Sequence, residues 1–353
     1  MNSPTGANEE TVTPQEDWWI YRGTGTPHPG IKNLPDTPAW RSFGEFAQDK
    51  LLTAPSETSA AATARRLGRL HQAATYQADV KEIQLVNLAL HLRRPLLITG
   101  KPGVGKSTLA YAVAHELQLG PVLRWSITSR STLREGLYAY DAIGRLHDAG
   151  VRSSTKATEE PAIGKYLRLG PLGTAFLPWR QPRVLLIDEI DKSDIDLPND
   201  LLNVFEEGQY DVPELSRLGP GPLTVMTTDD KGTAQVTDGT VRCAQFPFVV
   251  LTSNAEREFP AAFLRRCVRL EVQPPDEHRL AAMVAAHLGG DAPAASARTE
   301  LITEFLRRQR EEGAALANDQ LLNALLMAER GLWESDAGRQ IVTDVLLRPL
   351  SDG

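Results

Sequence analysis

Long apolar runs are missing from this sequence. The longest, such as Val184-Leu185-Leu186-Ile187, fall far short of the roughly 18 residues that a membrane-spanning helix needs. The amino terminus, Met1-Asn2-Ser3-Pro4, lacks the basic-then-apolar pattern of a secretory signal. Both absences point to a cytoplasmic protein with no membrane partner. Cysteine is scarce: Cys243 and Cys267 are too few for a disulfide framework or a zinc cage, and neither stands in a C-x-x-C pair. Both are expected to be small buried residues. A basic excess is lacking too. Against 38 Lys and Arg stand 45 Asp and Glu, a net charge of −7, which argues against a nucleic-acid scaffold as partner or role. No repeat at solenoid spacing is present. What the 353 residues do hold is 41% hydrophobic side chains, enough for a core, in a length suited to two or three structural units.

Residues 1–64 hold seven of the 24 prolines and eight acids against four bases, the composition of an extended, partly disordered leader. Within it, Trp18-Trp19-Ile20-Tyr21, the turn-rich Arg22-Gly23-Thr24-Gly25, Trp40 and Phe43 make the segment 18–43 too aromatic for a solvated linker. Two roles fit: a strap that buries its aromatics across the folded core, or a docking peptide for another protein. From about Ala60 helix formers take over, and Ile83, Val86 and Leu90 recur on one helical face. Leu96-Leu97-Ile98-Thr99 follows as a buried strand. Segments 122–127, 184–187 and 248–252 read as further short apolar strands covered on both faces. Their alternation with helices through 65–275 implies a parallel sheet between helical layers. After Pro274-Pro275 only helical patterning remains. Asp276 can cap a helix bearing Leu280, Met283, Val284 and His287, and Asn318-Asp319 another bearing Leu321, Leu322, Leu325 and Leu326. Residues 276–353 therefore read as a small helical domain. It carries thirteen acids against eight bases, while 65–275 carry 24 against 26. The acidity thus lies in the two ends, where partner-facing surfaces are expected.

Gly100-Lys101-Pro102-Gly103-Val104-Gly105-Lys106-Ser107 fits G-x-x-x-x-G-K-[ST] at every fixed position, with an apolar strand before it and a helix opening at Ser107-Thr108 after it. Glycines let such a loop turn its N–H groups inward, and the helix N-terminus adds partial positive charge, so backbone donors hold a polyphosphate. Lys106 is placed to reach the β- and γ-phosphates and Ser107 to ligate Mg²⁺. The strand Arg183-Val184-Leu185-Leu186-Ile187 ends in Asp188 and Glu189, and ligands of an open parallel sheet bind at such tips. Asp188 suits the Mg²⁺ shell, and Glu189 can orient and deprotonate an attacking water. Asp191 and Lys192 read as a solvated pair. The strand Phe248–Ser253 ends in Asn254, an amide suited to the γ-phosphate and the lytic water. Twelve residues on, Arg265-Arg266 can stabilise the transferring phosphoryl group, in cis or from a neighbouring chain.

In this order the motifs resemble those of AAA+ ATPases, and within them the MoxR-like branch, over roughly residues 76–345. The resemblance implies a three-layer α/β P-loop NTPase core with a small helical lid, binding ATP and Mg²⁺. Lys106 and Ser107 match Walker A, Asp188 and Glu189 Walker B, Asn254 sensor 1, and Arg266, with Arg265 as fallback, the arginine finger. Segments 129–138 and 170–176 resemble the MoxR-branch insertion after helix 2. The alternating Leu223-Thr224-Val225 and Ala234 to Val241 around an Asp-Gly turn resemble its hairpin. The implied assembly is a ring homo-oligomer, a hexamer, acting on a protein substrate. The leader is similar to those of MoxR-type ATPases that accompany von Willebrand factor A proteins in bacterial conflict systems, which makes such a protein a candidate partner. One departure stands out: where the family often carries a sensor 2 arginine, the stretch 316–321 has none, leaving Arg310 or Arg330 as substitutes. A nucleotide-gated signalling or scaffold module with little turnover is the alternative. A helicase is disfavoured because no second RecA-like domain follows residue 275, and a GTPase because no N-K-x-D follows the strand ending in Asn254.

Overall fold

Five parallel strands form the centre of the molecule. The computed structural model describes residues 16–56, 72–155, 162–288, 295–311 and 316–348; the helical start expected near Ala60 lies outside them, and the helix bearing Ile83, Val86 and Leu90 begins at Val80. Helix α1 (Val80–Leu92) opens with a capping box. Asp79 Oδ1 accepts the Glu82 N–H at 2.7 Å, and Glu82 Oε2 accepts that of Asp79 at 3.1 Å. The helix ends at Arg93, left-handed just before Arg94-Pro95, and gives way to β1 (Leu96–Thr99). Then come α2 (Lys106–Glu116), β2 (Leu123–Ser126), β3 (Tyr138–Tyr140), α3 (Ala142–Thr155), β4 (Leu167–Leu169), β5 (Val184–Asp188) and α4 (Leu197–Glu207). The short strands β6 (Gln209–Asp211), β7 (Pro222–Met226), β8 (Thr233–Thr237) and β9 (Thr240–Arg242) precede β10 (Phe248–Ser253), α5 (Ala261–Leu264) and β11 (Val268–Glu271). Three longer helices follow: α6 (Glu277–Leu288), α7 (Ala295–Glu311) and α8 (Asn318–Glu329).

The central sheet runs β11-β1-β10-β5-β2, the parallel strands of a P-loop NTPase α/β fold. Side chains alternate between its faces as a two-residue period requires. Leu97, Leu185, Ile187, Val249 and Leu251 enter one core; Leu96, Ile98, Val184, Leu186 and Val250 enter the other. Because β10 lies between β1 and β5, in register with both, the carboxyl ends of these three strands form one ledge. Strand β2 differs from the doubly covered strand expected of it. It is an edge strand, with Leu123 and Trp125 buried and Arg124 and Ser126 exposed. A second sheet, β3-β4-β7-β8-β9-β6, is built from the segments before β5 and before β10. It contains the expected hairpin strands and extends them. Asp238 and Gly239, both at positive φ, turn β8 into β9.

The leader lies across the edge of the core. Trp19, Ile20 and Tyr21 are buried, each such large side chain contributing about 1.5–3 kcal/mol. Asn87 of α1 reads their backbone: Oδ1 accepts the N–H of Ile20 (2.7 Å) and Tyr21 (2.9 Å), and Nδ2 donates to the Tyr21 carbonyl (2.7 Å). The turn that follows wraps Glu116, the last residue of α2. Its fully buried carboxylate accepts backbone N–H groups from Arg22 (2.6 Å), Gly23 (3.1 Å), Thr24 (2.7 Å) and Gly25 (2.9 Å). Such a concave run of donors, with Gly23 and Gly25 at positive φ, is an anion nest. Phe43 packs against Phe246, whereas Trp18 (38%) and Trp40 (81%) are exposed. The aromatic segment thus divides between core and solvent.

The helices after β11 have their own core, centred on Leu280, Val284, Leu301, Phe305, Leu321 and Leu325. Asp276 caps α6 as expected, accepting the Arg279 N–H at 2.8 Å. The cap of α8 is Ala317 rather than Asn318-Asp319: Asn318 is already helical, and the Ala317 N–H donates to Gln320 Oε1 at 2.8 Å. Among the described residues no helix is long and apolar enough to cross a membrane. Cys243 and Cys267 are free and buried, and burial pushes both thiols up to about 12.

Candidate functional site

A cavity of about 490 Å³ opens between the ledge of strand ends and the lid helices. Its lower wall is the glycine loop after β1. Gly103 (φ 76) lies so close to Ala317 that any side chain would fall on it, and the Gly103 carbonyl accepts the Asn318 N–H at 3.2 Å. Val104 anchors the loop in the core, and Gly105 (φ 96) turns it into α2. Pro102, Gly103, Val104, Gly105, Lys106, Ser107 and Thr108 all line the cavity. Gly100 and Lys101 enter through their carbonyls, which accept Lys106 Nζ at 2.8 Å each. The third Lys106 proton goes to Asn254 Oδ1 at 2.7 Å. Burial pulls the pKa of this amine down, against the charges of Asp191 and Asp188.

Asp188 holds the centre of the ledge. Its Oδ1 accepts the hydroxyls of Ser107 and Thr252, both at 2.7 Å, and its Oδ2 accepts Nη2 (2.6 Å) and Nε (3.1 Å) of Arg124. Burial alone would raise its pKa; the hydrogen bonds from Ser107, Thr252 and Arg124 outweigh it and hold the carboxyl below its ordinary value. Beside it, Glu189 is a non-glycine residue at φ 63, kept there by its N–H donating to Thr252 Oγ1 at 2.9 Å. Ala255, just past the tip of β10, is at φ 60. Strained backbone of this kind costs about 1–3 kcal/mol per residue and clusters at functional sites. The Glu189 carboxylate is half exposed and pairs with Lys192 Nζ at 2.8 Å.

Asp191 is not the solvated acid that the sequence suggested. It is buried, and Oδ2 accepts the N–H of Asn254 at 2.9 Å and of Glu256 at 3.4 Å, so it shapes the turn that aims Asn254. Lys192 pairs with Glu189 instead. Arg266 and Arg265 do not line the cavity of their own chain. Arg266 bonds Glu206 and, at 3.2 Å, the Ala262 carbonyl, while Arg265 is exposed.

On the lid side the cavity meets Met283, Asn318, Asp319 and Leu322. The arginine-free stretch 316–321 does face the site. Arg330, at the end of α8, does not line it, and the Arg310 side chain lies outside the described residues. Among the described residues the lid arginine at the cavity is Arg279. It bridges to the buried Glu82 (3.2 Å), Asp79 (3.3 Å) and the Gln77 carbonyl (2.8 Å). Sequence reasoning missed Arg279 because a single arginine in the first turn of a helix matches no motif. It missed Arg124 too, although a charge inside the short strand Leu123–Ser126, between Leu123 and Trp125, was a usable signal.

The donor set suits magnesium. The Ser107 hydroxyl and the ionised Asp188 are hard oxygen ligands side by side on the cavity wall, and Mg²⁺ takes one or two protein oxygens together with substrate phosphates and water. Among the described residues no group of three or more His, Cys, Asp or Glu forms a self-sufficient metal cage.

A strand, a glycine loop and a helix whose lysine meets a neighbouring strand-tip Asn, with a serine hydroxyl on a second strand-tip Asp, define a P-loop NTPase. Residues 95–267 match the family model described as the AAA domain of the dynein-related subfamily. The match over this segment supports a nucleotide-binding ATPase of the AAA+ class. The matched segment runs from the residue before β1 to the residue before β11. A search of curated proteins found no match.

Proposed function

We propose that this protein binds ATP with Mg²⁺ and hydrolyses it, working as a MoxR-type ring, a hexamer, that remodels or activates a protein partner such as a von Willebrand factor A protein. The observation that carries the reading is the Ser107–Asp188 pair at 2.7 Å, set opposite a lysine held by the glycine loop and Asn254. Loop N–H groups and Lys106 take the polyphosphate, Lys106 exchanging its present partners for phosphate oxygens. Ser107 and Asp188 would hold Mg²⁺, which would supply positive charge against the phosphates. Glu189 must leave Lys192 to accept a proton from the attacking water, and Asn254 orients that water. Arg266 does not line its own cavity, which supports its acting in the site of a neighbouring copy.

The scaffold reading has specific support as well. Glu189 is already engaged by Lys192, and Asn318 and Asp319 stand at the cavity where an arginine would sense the γ-phosphate. Turnover measured against protein concentration separates the two. A shared site gives specific activity that rises with concentration and is lost in Arg266→Ala. Equal turnover by wild type and by the Arg265→Ala/Arg266→Ala double variant at high concentration would remove the shared-site mechanism. An absence of turnover at any concentration, with ATP still bound, would favour the scaffold.

A further inference from the structure

Arg124 has no assigned task in binding phosphate, yet it makes the shortest contact to Asp188 at the site. The alternation along the edge strand β2 turns Leu123 and Trp125 inward and leaves Arg124 on the open face. Its backbone lies opposite Leu186, two residues before Asp188, so only a long side chain reaches the strand tip. Both Nη2 and Nε converge there on the single oxygen Oδ2, at 2.6 and 3.1 Å. The other oxygen is already taken by Ser107 and Thr252. The guanidinium therefore covers the one Asp188 oxygen without a hydroxyl partner. Arg124 is itself 40% exposed and lines the cavity, so it has room to leave.

A buried carboxylate without a counter-ion is costly, and an arginine cannot relieve competition by losing its proton. A second cation at Asp188 must then displace the guanidinium or be repelled by it. A free metal ion offers Arg124 nothing in exchange, whereas a polyphosphate does. We infer that Arg124 is a built-in counter-cation that occupies Asp188 in the nucleotide-free site and competes with Mg²⁺ for it, so that the metal enters with the nucleotide and not ahead of it. The inference rests on the P-loop reading of Lys106, Ser107 and Asp188.

The test uses Mn²⁺ as a spectroscopic probe for Mg²⁺ and the full chain without nucleotide, titrated by electron paramagnetic resonance. Wild type is expected to bind Mn²⁺ weakly. Arg124→Ala and Arg124→Gln are expected to bind it roughly three- to tenfold more tightly, the range for a charge-assisted hydrogen bond at a partly exposed site. Adding Asp188→Asn to either variant is expected to abolish the gain. In parallel, the Mg²⁺ concentration at half-maximal binding of a non-hydrolysable ATP analogue is expected to fall by a similar factor in both variants. Circular dichroism confirms that each variant is folded, and Arg124→Lys, which keeps the charge without the fork, is expected to lie between. Unchanged or weaker Mn²⁺ binding in folded Arg124 variants overturns the inference while leaving the P-loop reading intact, provided the wild type binds the analogue. A wild type that binds no analogue overturns both.

Discussion

The buried carboxylate of Asp191 accepts the backbone N–H of Asn254 at 2.9 Å, tying the turn after β5 to the tip of β10. Asn254 in turn receives Lys106 at 2.7 Å. Replacing Asp191 with Ala removes the acceptor while leaving the phosphate loop intact. Loss of a charge-assisted hydrogen bond of about 1.5–3 kcal/mol corresponds to a fall in kcat of roughly ten- to a hundredfold. The nucleotide Kd is expected to move much less, and Asp191→Asn to recover part of kcat. A variant that lost affinity and kcat equally would mean that Asp191 serves the fold alone.

Glu116 ties the leader to the helix that carries the phosphate loop. Glu116→Ala leaves four backbone N–H groups of residues 22–25 without their acceptor. A loss of about 3–5 kcal/mol is expected in urea unfolding, since several donors lose a charged partner together. Glu116→Gln, which keeps one acceptor oxygen, is expected to lose less. A change below about 1 kcal/mol for Glu116→Ala would show that the leader contributes little to stability.

Gly103→Ala places a methyl group against Ala317 at a left-handed position. Relief requires the loop or the lid to shift, at about 1–3 kcal/mol. The expected result is a roughly five- to hundredfold weaker nucleotide Kd with a nearly unchanged melting temperature of the sheet core. Calorimetric titration of an ATP analogue checks it.

Glu304 on α7 carries a readable pH signature. Hydrogen bonds from Arg307 and Arg308, with their charges, hold its carboxyl at about 2 against an ordinary 4.5. A depressed carboxylate pKa means that the unfolded chain binds more protons in this window. Its contribution is therefore complete above about 4.5 and is lost as pH falls toward about 2. The pair is near the surface, so the effect is expected to stay within about 1 kcal/mol. Glu304→Gln should melt below wild type at pH 6, with the two melting temperatures converging as pH falls. Parallel curves with a constant offset would assign the loss to packing.

The legible parts of the molecule were those where one local pattern sufficed. Leu96–Thr99, Val184–Asp188 and Phe248–Ser253 are mostly apolar runs, and the residues that close or follow them, Lys106, Ser107, Asp188, Glu189 and Asn254, line one cavity. Strands β3, β4 and β6 escaped because three residues carry too little alternation to recognise. Helix α7, Ala295–Glu311, matches no motif that would draw attention to it. Asp191 looked solvated because its partner, the backbone of Asn254, is 63 residues away. Arg124 and Arg279 likewise meet Asp188 and Glu82 only through tertiary contacts, 64 and 197 residues apart in sequence.

The most direct measurement is the fate of ATP on the full chain in which Glu189 is replaced by Gln. With Mg²⁺ and radiolabelled ATP, wild type is expected to release ADP and phosphate over many cycles. Glu189→Gln is expected to bind ATP with similar affinity and to keep it unhydrolysed, because loop, lysine and Asp188 remain while the base is gone. Hydrolysis by Glu189→Gln at the wild-type rate, or wild type itself holding intact ATP for hours, would contradict the assignment of this site as an ATPase.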